Sequence, residues 1–160
     1  VGPMDAIPLG ERTPYYLARY LPLVVRLTLW RQGRTARDDP EAAQRRRADE
    51  AADVDEARWL GEPGRVLVET SVAAAAEHGT APLARELALF GSPWEFDLGD
   101  IEVPVHLWYG KRDRIVPVEM GLHLARELPT AEAHFYPDLA HISVVQENRE
   151  AILDALVEQA

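Results

Sequence analysis

Two loops of this sequence carry side chains that could act together as an acid–base pair. In the first loop, Asp113 comes three positions after Gly110, just beyond a short apolar run. In the second loop, His141 follows another short apolar run. A carboxylate beside an imidazole fixes the tautomer of the ring and stabilises its protonated form, so the imidazole becomes a general base. The pair predicts proton-transfer chemistry if the fold brings the two loops together.

Two predicted strands position these loops. Residues 103–109 (VPVHLWY) are apolar and favour β-structure, and they stop at a glycine, which is typical of a buried strand. Residues 133–136 predict a second strand, and residues 117–128 predict a helix between the two. A strand–helix–strand unit of this size implies a parallel pair, and groups that follow the carboxyl ends of neighbouring parallel strands meet at one edge of the sheet. We therefore expect Asp113 and His141 to lie close together.

The part of the chain before these strands is predicted to be helical. Residues 1–12 are rich in Gly and Pro and predict an N-terminal loop. Helices are then expected through residues 13–90, beginning with a cap at Thr13 and broken near Pro22. The fold class is α/β, with this helical region followed by a βαβα unit over residues 91–160. Two parallel strands seldom form a self-sufficient sheet, so the sequence is expected to lack the rest of its sheet.

Local signals mark several further helix boundaries. Asp39 before a proline predicts a helix start, because Asp is a favoured N-cap and Pro suits the first turn. Residues 61–64 predict a break, followed by helices over residues 65–78 and 80–90. A last amphipathic helix is predicted over residues 143–157. These elements complete the expected secondary structure.

The stretch from Trp94 to His141 (WEFDLGDIEVPVHLWYGKRDRIVPVEMGLHLARELPTAEAHFYPDLAH) resembles the C-terminal part of an α/β-hydrolase. In that family a VPV…G-x-x-D-x-x-V-P strand and loop supplies the acid of a catalytic triad, and a later strand and loop supplies the histidine base. Asp113 and His141 match those two positions, whereas Ala140 stands where the family usually has Gly. The resemblance implies that the helical region is the family's lid and that residues 1–5 follow the strand before the lid.

The nucleophile of that family has no counterpart in this sequence. It is a serine in a Gly-x-Ser-x-Gly elbow that precedes the lid, and the oxyanion-hole loop also lies upstream. The three serines of this chain stand in other contexts: Ser71, Ser92 and Ser143. We therefore expect the second half of a hydrolase, which would have no triad activity alone and would need the missing N-terminal half or a partner chain.

The reaction that the resemblance implies is acyl transfer from a carboxylic ester, or a similar small substrate, to water. An upstream serine would attack, His141 would take and return the proton, and Asp113 would orient His141. No cofactor is expected. The acyl chain length, the choice between ester, amide and epoxide, and even a halide-displacing Asp nucleophile depend on residues outside this sequence.

Other interpretations of these residues stay open at this point. Asp113 could cap the following helix or sit in a turn, and His141 could be a surface histidine. Asp5 is an alternative acid, because some family members place the acid after an earlier strand. The remaining histidines are interpreted as packing, surface or helix-end residues: His78, His106, His123 and His134. No His/Asp/Glu cluster shows metal-ligand spacing along the sequence, so no metal site is expected.

Composition excludes several function classes. The 160 residues include 17 Lys and Arg but 27 Asp and Glu, and a formal net charge of −10 argues against nucleic acid or an anionic membrane as partner. No apolar run approaches the roughly 18 residues that span a bilayer. The chain has no Cys, hence no disulfide, and no secretory signal is visible, so a cytoplasmic protein is expected. Because Met4 is the first methionine, we expect that residue 1 is not a natural start.

Two further hypotheses compete with a hydrolase. A non-catalytic or split interaction module would pair the strand at 103–109 with a strand of a partner chain, or with a second copy of this chain, through its open edge. A free-standing helical binding domain would have no paired strands at 103–109 and 133–136. Four aromatic residues could line an acyl pocket under a lid or belong to an ordinary core: Trp30, Trp59, Phe90 and Trp94.

Overall fold

Short helices make up most of the chain, and a small parallel sheet follows them. The computed structural model describes residues 9–158, and the side chains of residues 12–158. The elements in that range are α1 (Leu9–Tyr20), α2 (Pro22–Asp38), α3 (Pro40–Glu50), α4 (Asp53–Leu60), α5 (Glu62–His78), α6 (Ala81–Phe90), a 3-10 helix (Leu98–Asp100), β1 (Val105–Gly110), α7 (Val118–Glu127), β2 (Ala131–Tyr136), α8 (Ser143–Glu147) and α9 (Arg149–Glu158). The mixed α/β class is confirmed at this level.

Prolines lie in the first turn of several of these helices, as predicted for Pro40. The missing N–H of proline costs nothing in the first turn, where backbone donors have no helical partner, and its fixed φ suits the helix. Pro22 separates α1 from α2, and Pro40 opens α3. The carboxylate of Asp39 accepts a hydrogen bond from the backbone N–H of Ala42 at 2.8 Å, which confirms the predicted cap.

The predicted loop over residues 1–12 is wrong for residues 9–12, which form the first turn of α1. Thr13 is consequently not a cap, and Pro14 lies inside the helix. A proline there removes one hydrogen bond, but α1 packs against α6 and buries Ala18 almost completely. These tertiary contacts outweigh the local signal of Gly and Pro. Residues 1–8 lie outside the described part of the chain.

Two other helix boundaries differ from expectation. The helix predicted over residues 143–157 is interrupted at Asn148, whose side-chain amide donates to the carbonyl of Val144 at 2.8 Å, so two short helices replace one long one. The break predicted over residues 61–64 is shorter, because α5 already begins at Glu62 and accommodates Pro63 in its first turn.

The two strands pair in parallel, as expected from the strand–helix–strand pattern. Val105 lies opposite Ala131, and the register runs to Gly110 opposite Tyr136. Among the described residues the sheet has only these two strands. Helix α7 covers one face, where a Cβ on Gly121 would lie 2.6 Å from the ring of Tyr109. The paired strands exclude the free-standing helical domain.

Two apolar clusters hold the helical region together. The first contains Ala18, Val25 and Ala84, from α1, α2 and α6. The second contains Ala48, Ala51 and Trp59 from the region of α3 and α4, together with Ile142, which directly follows His141. The second cluster therefore connects the helical region to the loop that carries the predicted base.

The described helices include none that is both long enough and apolar enough to cross a bilayer. The short basic run at Arg45–Arg47 lies on an exposed face of α3. Nη1 of Arg45 lies 3.5 Å from Oε2 of Glu41, and Nη1 of Arg47 lies 3.6 Å from Oε2 of Glu50.

Replacing Gly121 with Ala tests how closely α7 must approach the sheet. The added methyl group would collide with the Tyr109 ring, so we expect a loss of roughly 1–3 kcal/mol in the free energy of unfolding. Gly33→Ala is the matched control, because this glycine also lies inside a helix but its Cβ would meet Ala75 at an ordinary 3.9 Å. That control should gain about 0.5–1 kcal/mol. Urea denaturation measures both; equal stability changes would contradict the close packing.

Candidate active site

The structure brings the two predicted chemical residues together. Nδ1 of His141 and Oδ2 of Asp113 are 2.9 Å apart, within hydrogen-bond distance. The two side chains extend from loops that follow neighbouring parallel strands, so the expected proximity is confirmed. The carboxylate side chain is only 6% exposed, whereas the imidazole is 42% exposed. A shielded acid thus holds a ring that is accessible from solvent.

Asp113 is fixed by its own loop. Its Oδ1 accepts hydrogen bonds from the backbone N–H groups of Ile115 at 2.7 Å and Val116 at 2.8 Å. This is the turn role that the sequence left open, and it coexists with the bond to His141 because the carboxylate uses its other oxygen for the ring. The turn therefore orients the acid toward the imidazole.

The two loops are also joined through their backbones. The N–H of Lys111 donates to the carbonyl of Tyr136 at 2.8 Å, and the N–H of Arg112 donates to that of Leu139 at 3.0 Å. The close approach of the two loops requires a glycine at position 110, because a Cβ there would lie 2.3 Å from the carbonyl oxygen of Leu139. The glycine that ends β1 therefore has a geometric role in the site.

Residues 51–58 of the helical region, here called the docking segment, bind the base-carrying loop through Asp55. This side chain is almost fully buried, at 1% exposure. Its two carboxylate oxygens accept hydrogen bonds from the backbone N–H groups of Ile142 at 2.6 Å and Ser143 at 2.9 Å. Because these residues directly follow His141, Asp55 fixes the backbone from which the imidazole extends.

The docking segment also binds the acid-carrying loop, on both sides of Asp113. Arg112 contacts both carboxylate oxygens of Asp53, at 2.5 and 2.6 Å, and Arg114 donates to the carbonyl of Ala51 at 3.2 Å. In addition, Arg58 pairs with Glu147 of α8. One short segment of the helical region thus holds both loops of the candidate site.

The surroundings of His141 raise its pKa. The main cause is the hydrogen bond to Asp113, and the negative charges of Asp113 and Asp55 act in the same direction, while partial burial opposes them. A raised pKa in the folded state means that protonation of the ring stabilises the fold. This stabilisation has its full value at a pH below the pKa of His141 in the unfolded chain, about 6.5. It is lost as the pH rises through the pKa of His141 in the folded chain.

Asp55 was not among the residues singled out from the sequence. The first turn of α4 contains three acidic residues, and nothing in their spacing distinguishes Asp55 from its neighbours Asp53 and Glu56. Its partners are 87 and 88 positions away, so only the folded chain reveals them. Asp5, the alternative acid, lies outside the described residues.

None of the three serines stands in an elbow. Ser71 and Ser92 each donate to a backbone carbonyl four positions earlier, at 2.7 and 2.8 Å. Ser143 lies two positions after the histidine, but it is completely buried, and its hydroxyl oxygen accepts a hydrogen bond from the N–H of Ala140 at 2.8 Å. The hydroxyl groups of these serines are thus engaged by the backbone of the chain itself.

The other histidines lie where the sequence predicts. His78 is an exposed residue at the end of α5, and His123 lies on α7 near Glu127. His106 and His134 are strand residues, but the fold brings them together with Glu132, which the linear spacing did not indicate.

The four aromatic residues that could line a pocket make separate contacts. Trp59 is buried in the second apolar cluster, so its interpretation as a core residue is confirmed. Trp30 is half exposed, Phe90 packs edge-on against Tyr15, and Trp94 stacks on Phe96. They do not form a common acyl pocket.

Comparisons with known proteins give no relative: no family model, no curated protein and no solved structure matches this chain.

Asp113→Asn tests the acid–base coupling. The variant removes the negative charge beside the ring, so the pKa of His141 should fall relative to the wild type. An NMR titration of the imidazole C2–H resonance measures it. Asp138→Asn is the matched control. It also removes one negative charge, from the loop that carries His141, but it leaves the hydrogen bond between Asp113 and His141 in place. An equal pKa of His141 in all three proteins would contradict the coupling.

Asp55→Asn tests the docking segment. An amide has one acceptor oxygen, so one of the two buried N–H groups would lose its partner, and we expect a loss of about 1–3 kcal/mol in unfolding free energy. Asp53→Asn, in the same helical turn, breaks only an exposed ion pair and should cost at most about 1 kcal/mol. Urea denaturation compares them. If Asp53→Asn is the more damaging, the assigned role of Asp55 is wrong.

Proposed function

We propose that this chain is the C-terminal part of an α/β-hydrolase-type enzyme that cleaves a carboxylic ester or a similar acyl substrate. The single observation that carries the proposal is the 2.9 Å contact between Asp113 and Nδ1 of His141. It occurs beyond the carboxyl ends of two adjacent parallel strands, the edge at which α/β proteins place their catalytic groups. The α/β-hydrolase family is proposed because the sequence from Trp94 to His141 resembles it, and the geometry of the Asp113–His141 pair supports that proposal.

In the proposed mechanism, His141 is the general base. Asp113 accepts a hydrogen bond from Nδ1–H of the ring, and this leaves Nε2 free to take a proton from an attacking hydroxyl group and return it to the leaving group. The same carboxylate stabilises the imidazolium that forms in between. The raised pKa of His141 fits this role, because the ring must hold a proton during the reaction.

The nucleophile of the proposed reaction comes from outside these 160 residues. None of the three serines stands in a Gly-x-Ser-x-Gly sequence, and Ser143, which lies nearest to the histidine in sequence, is fully buried. We propose that a preceding segment or a partner chain provides the serine and the oxyanion hole. The helical region, docked through residues 51–58, would be the lid over that site.

The test uses the longest natural polypeptide that includes this chain, with a nitrophenyl ester as substrate. Asp113→Asn and His141→Ala should each lower kcat roughly 10⁴-fold with little loss of folding. Asp138→Asn, whose exposed side chain lies in the same loop as the base, should keep the wild-type rate. Unchanged rates in either triad variant would refute the proposed function.

The 160-residue chain by itself should not hydrolyse the ester above the buffer rate. Turnover by this chain that disappears in His141→Ala would contradict the proposed external nucleophile and would require another nucleophile within the chain.

A second candidate function is an interaction module. Its support is that, among the described residues, each strand of the sheet has a neighbour on one side only. The open edge of β1 could then pair with a strand of a partner or of a second copy. The coding sequence upstream of codon 1 distinguishes the candidates: a Gly-x-Ser-x-Gly sequence favours the enzyme, and a start codon at the first position favours the module.

A further inference from the structure

Three potential metal ligands lie together on the small sheet, away from the Asp113–His141 pair. They are His106 on β1 and Glu132 and His134 on β2. One ligand atom from each residue lies within 4.8 Å of the other two. The proposed hydrolytic mechanism uses none of these groups.

The strand pairing explains why these residues meet. His106 is directly opposite Glu132 in the register, and His134 is two positions further along the same strand. Side chains at i and i+2 of a strand point to the same face, and a directly paired residue joins them there. This is the face opposite to α7, because α7 packs on the alternate position Tyr109.

The distances suit a small divalent cation. Oε2 of Glu132 is 3.7 Å from Nδ1 of His106, and Oε1 is 3.5 Å from Nε2 of His134. In a tetrahedral site with bonds of about 2.1 Å, neighbouring ligand atoms are roughly 3.4 Å apart. The ligand atoms of the third pair, His106 and His134, lie within 4.8 Å of each other, so the side chains must adjust their positions for all three groups to bind one ion.

The surroundings of His134 favour its use as a metal ligand. Its Nε2 is buried and makes no hydrogen bond within the described part of the chain, and Oε1 of Glu132 lies 3.5 Å away from it. The indole ring of Trp108 stacks on the imidazole at 4.1 Å between centroids, which restrains the ring. A buried polar atom without a hydrogen bond is costly, and a bound cation would satisfy it.

From this geometry we infer that His106, Glu132 and His134 form a binding site for a divalent transition-metal ion of the Zn²⁺ class. Two imidazoles and one carboxylate are a ligand set that favours such ions over Mg²⁺ or Ca²⁺, which prefer oxygen ligands. Water would complete the coordination. The ion would link β1 to β2 near the starts of the strands, at the other end from the acid and the base.

The test is calorimetric titration of ZnCl₂ into the 160-residue chain, freed of metal with EDTA. We expect one Zn²⁺ per chain, with binding weakened at least about tenfold in His106→Asn and in His134→Asn. Glu132→Gln is the safer variant for folding because its side chain is 66% exposed, and it should also weaken binding. With Co²⁺ instead of Zn²⁺, visible absorption should appear and be lost in the same variants.

His123→Asn is the matched control. This histidine also faces a glutamate, with Nδ1 4.0 Å from Oε1 of Glu127. Among the described residues, however, no third ligand group completes a cluster around it, so the variant should bind Zn²⁺ like the wild type. The proposal is overturned if the wild-type chain binds no Zn²⁺, if Glu132→Gln binds equally well, or if His141→Asn alone abolishes binding. Circular dichroism verifies that each variant keeps its helices.

Discussion

The hydrogen bond between Asp113 and His141 joins two loops that are far apart in sequence, and its geometry depends on how those loops are supported. Neither loop stands alone: backbone hydrogen bonds tie them to each other, and residues 51–58 bind both. Asp55 is the most demanding of these supports, because a buried carboxylate is tolerated only when hydrogen bonds replace its lost hydration. The helical region is therefore part of the site's framework.

This arrangement links stability and chemistry through the same groups. The hydrogen bond to Asp113 raises the pKa of His141, and the charges of Asp113 and Asp55, which also support the two loops, act in the same direction. Loosening the helical region would thus change both the position of the imidazole and its basicity. The small sheet is supported differently. Among the described residues its strands have free outer edges, and the face opposite α7 carries His106, Trp108 and His134. A neighbouring strand or a bound ion would complete it.

Local sequence signals predicted those parts of the fold whose causes are local. The proline at position 22 and the cap at Asp39 separate helices as expected, and the apolar run predicted as a strand from residue 103 forms one from Val105 to Gly110. The predicted start of α1 at Thr13 was wrong, because the packing of this helix against α6 outweighs the local signal of Gly and Pro. The pair at the site was predictable since both residues follow neighbouring parallel strands. Asp55 was not predictable, because its partners lie 87 and 88 positions away.

The tautomer of His141 reports whether the ring is held as this structure requires. Long-range ¹H–¹⁵N correlation spectra at a pH above its pKa distinguish a protonated Nδ1 from a protonated Nε2. If the carboxylate of Asp113 accepts a hydrogen bond from Nδ1–H, Nδ1 is protonated and Nε2 carries the free electron pair that a general base needs. A neutral ring protonated mainly at Nε2 would contradict this arrangement, and with it the assignment of His141 as a base oriented by Asp113.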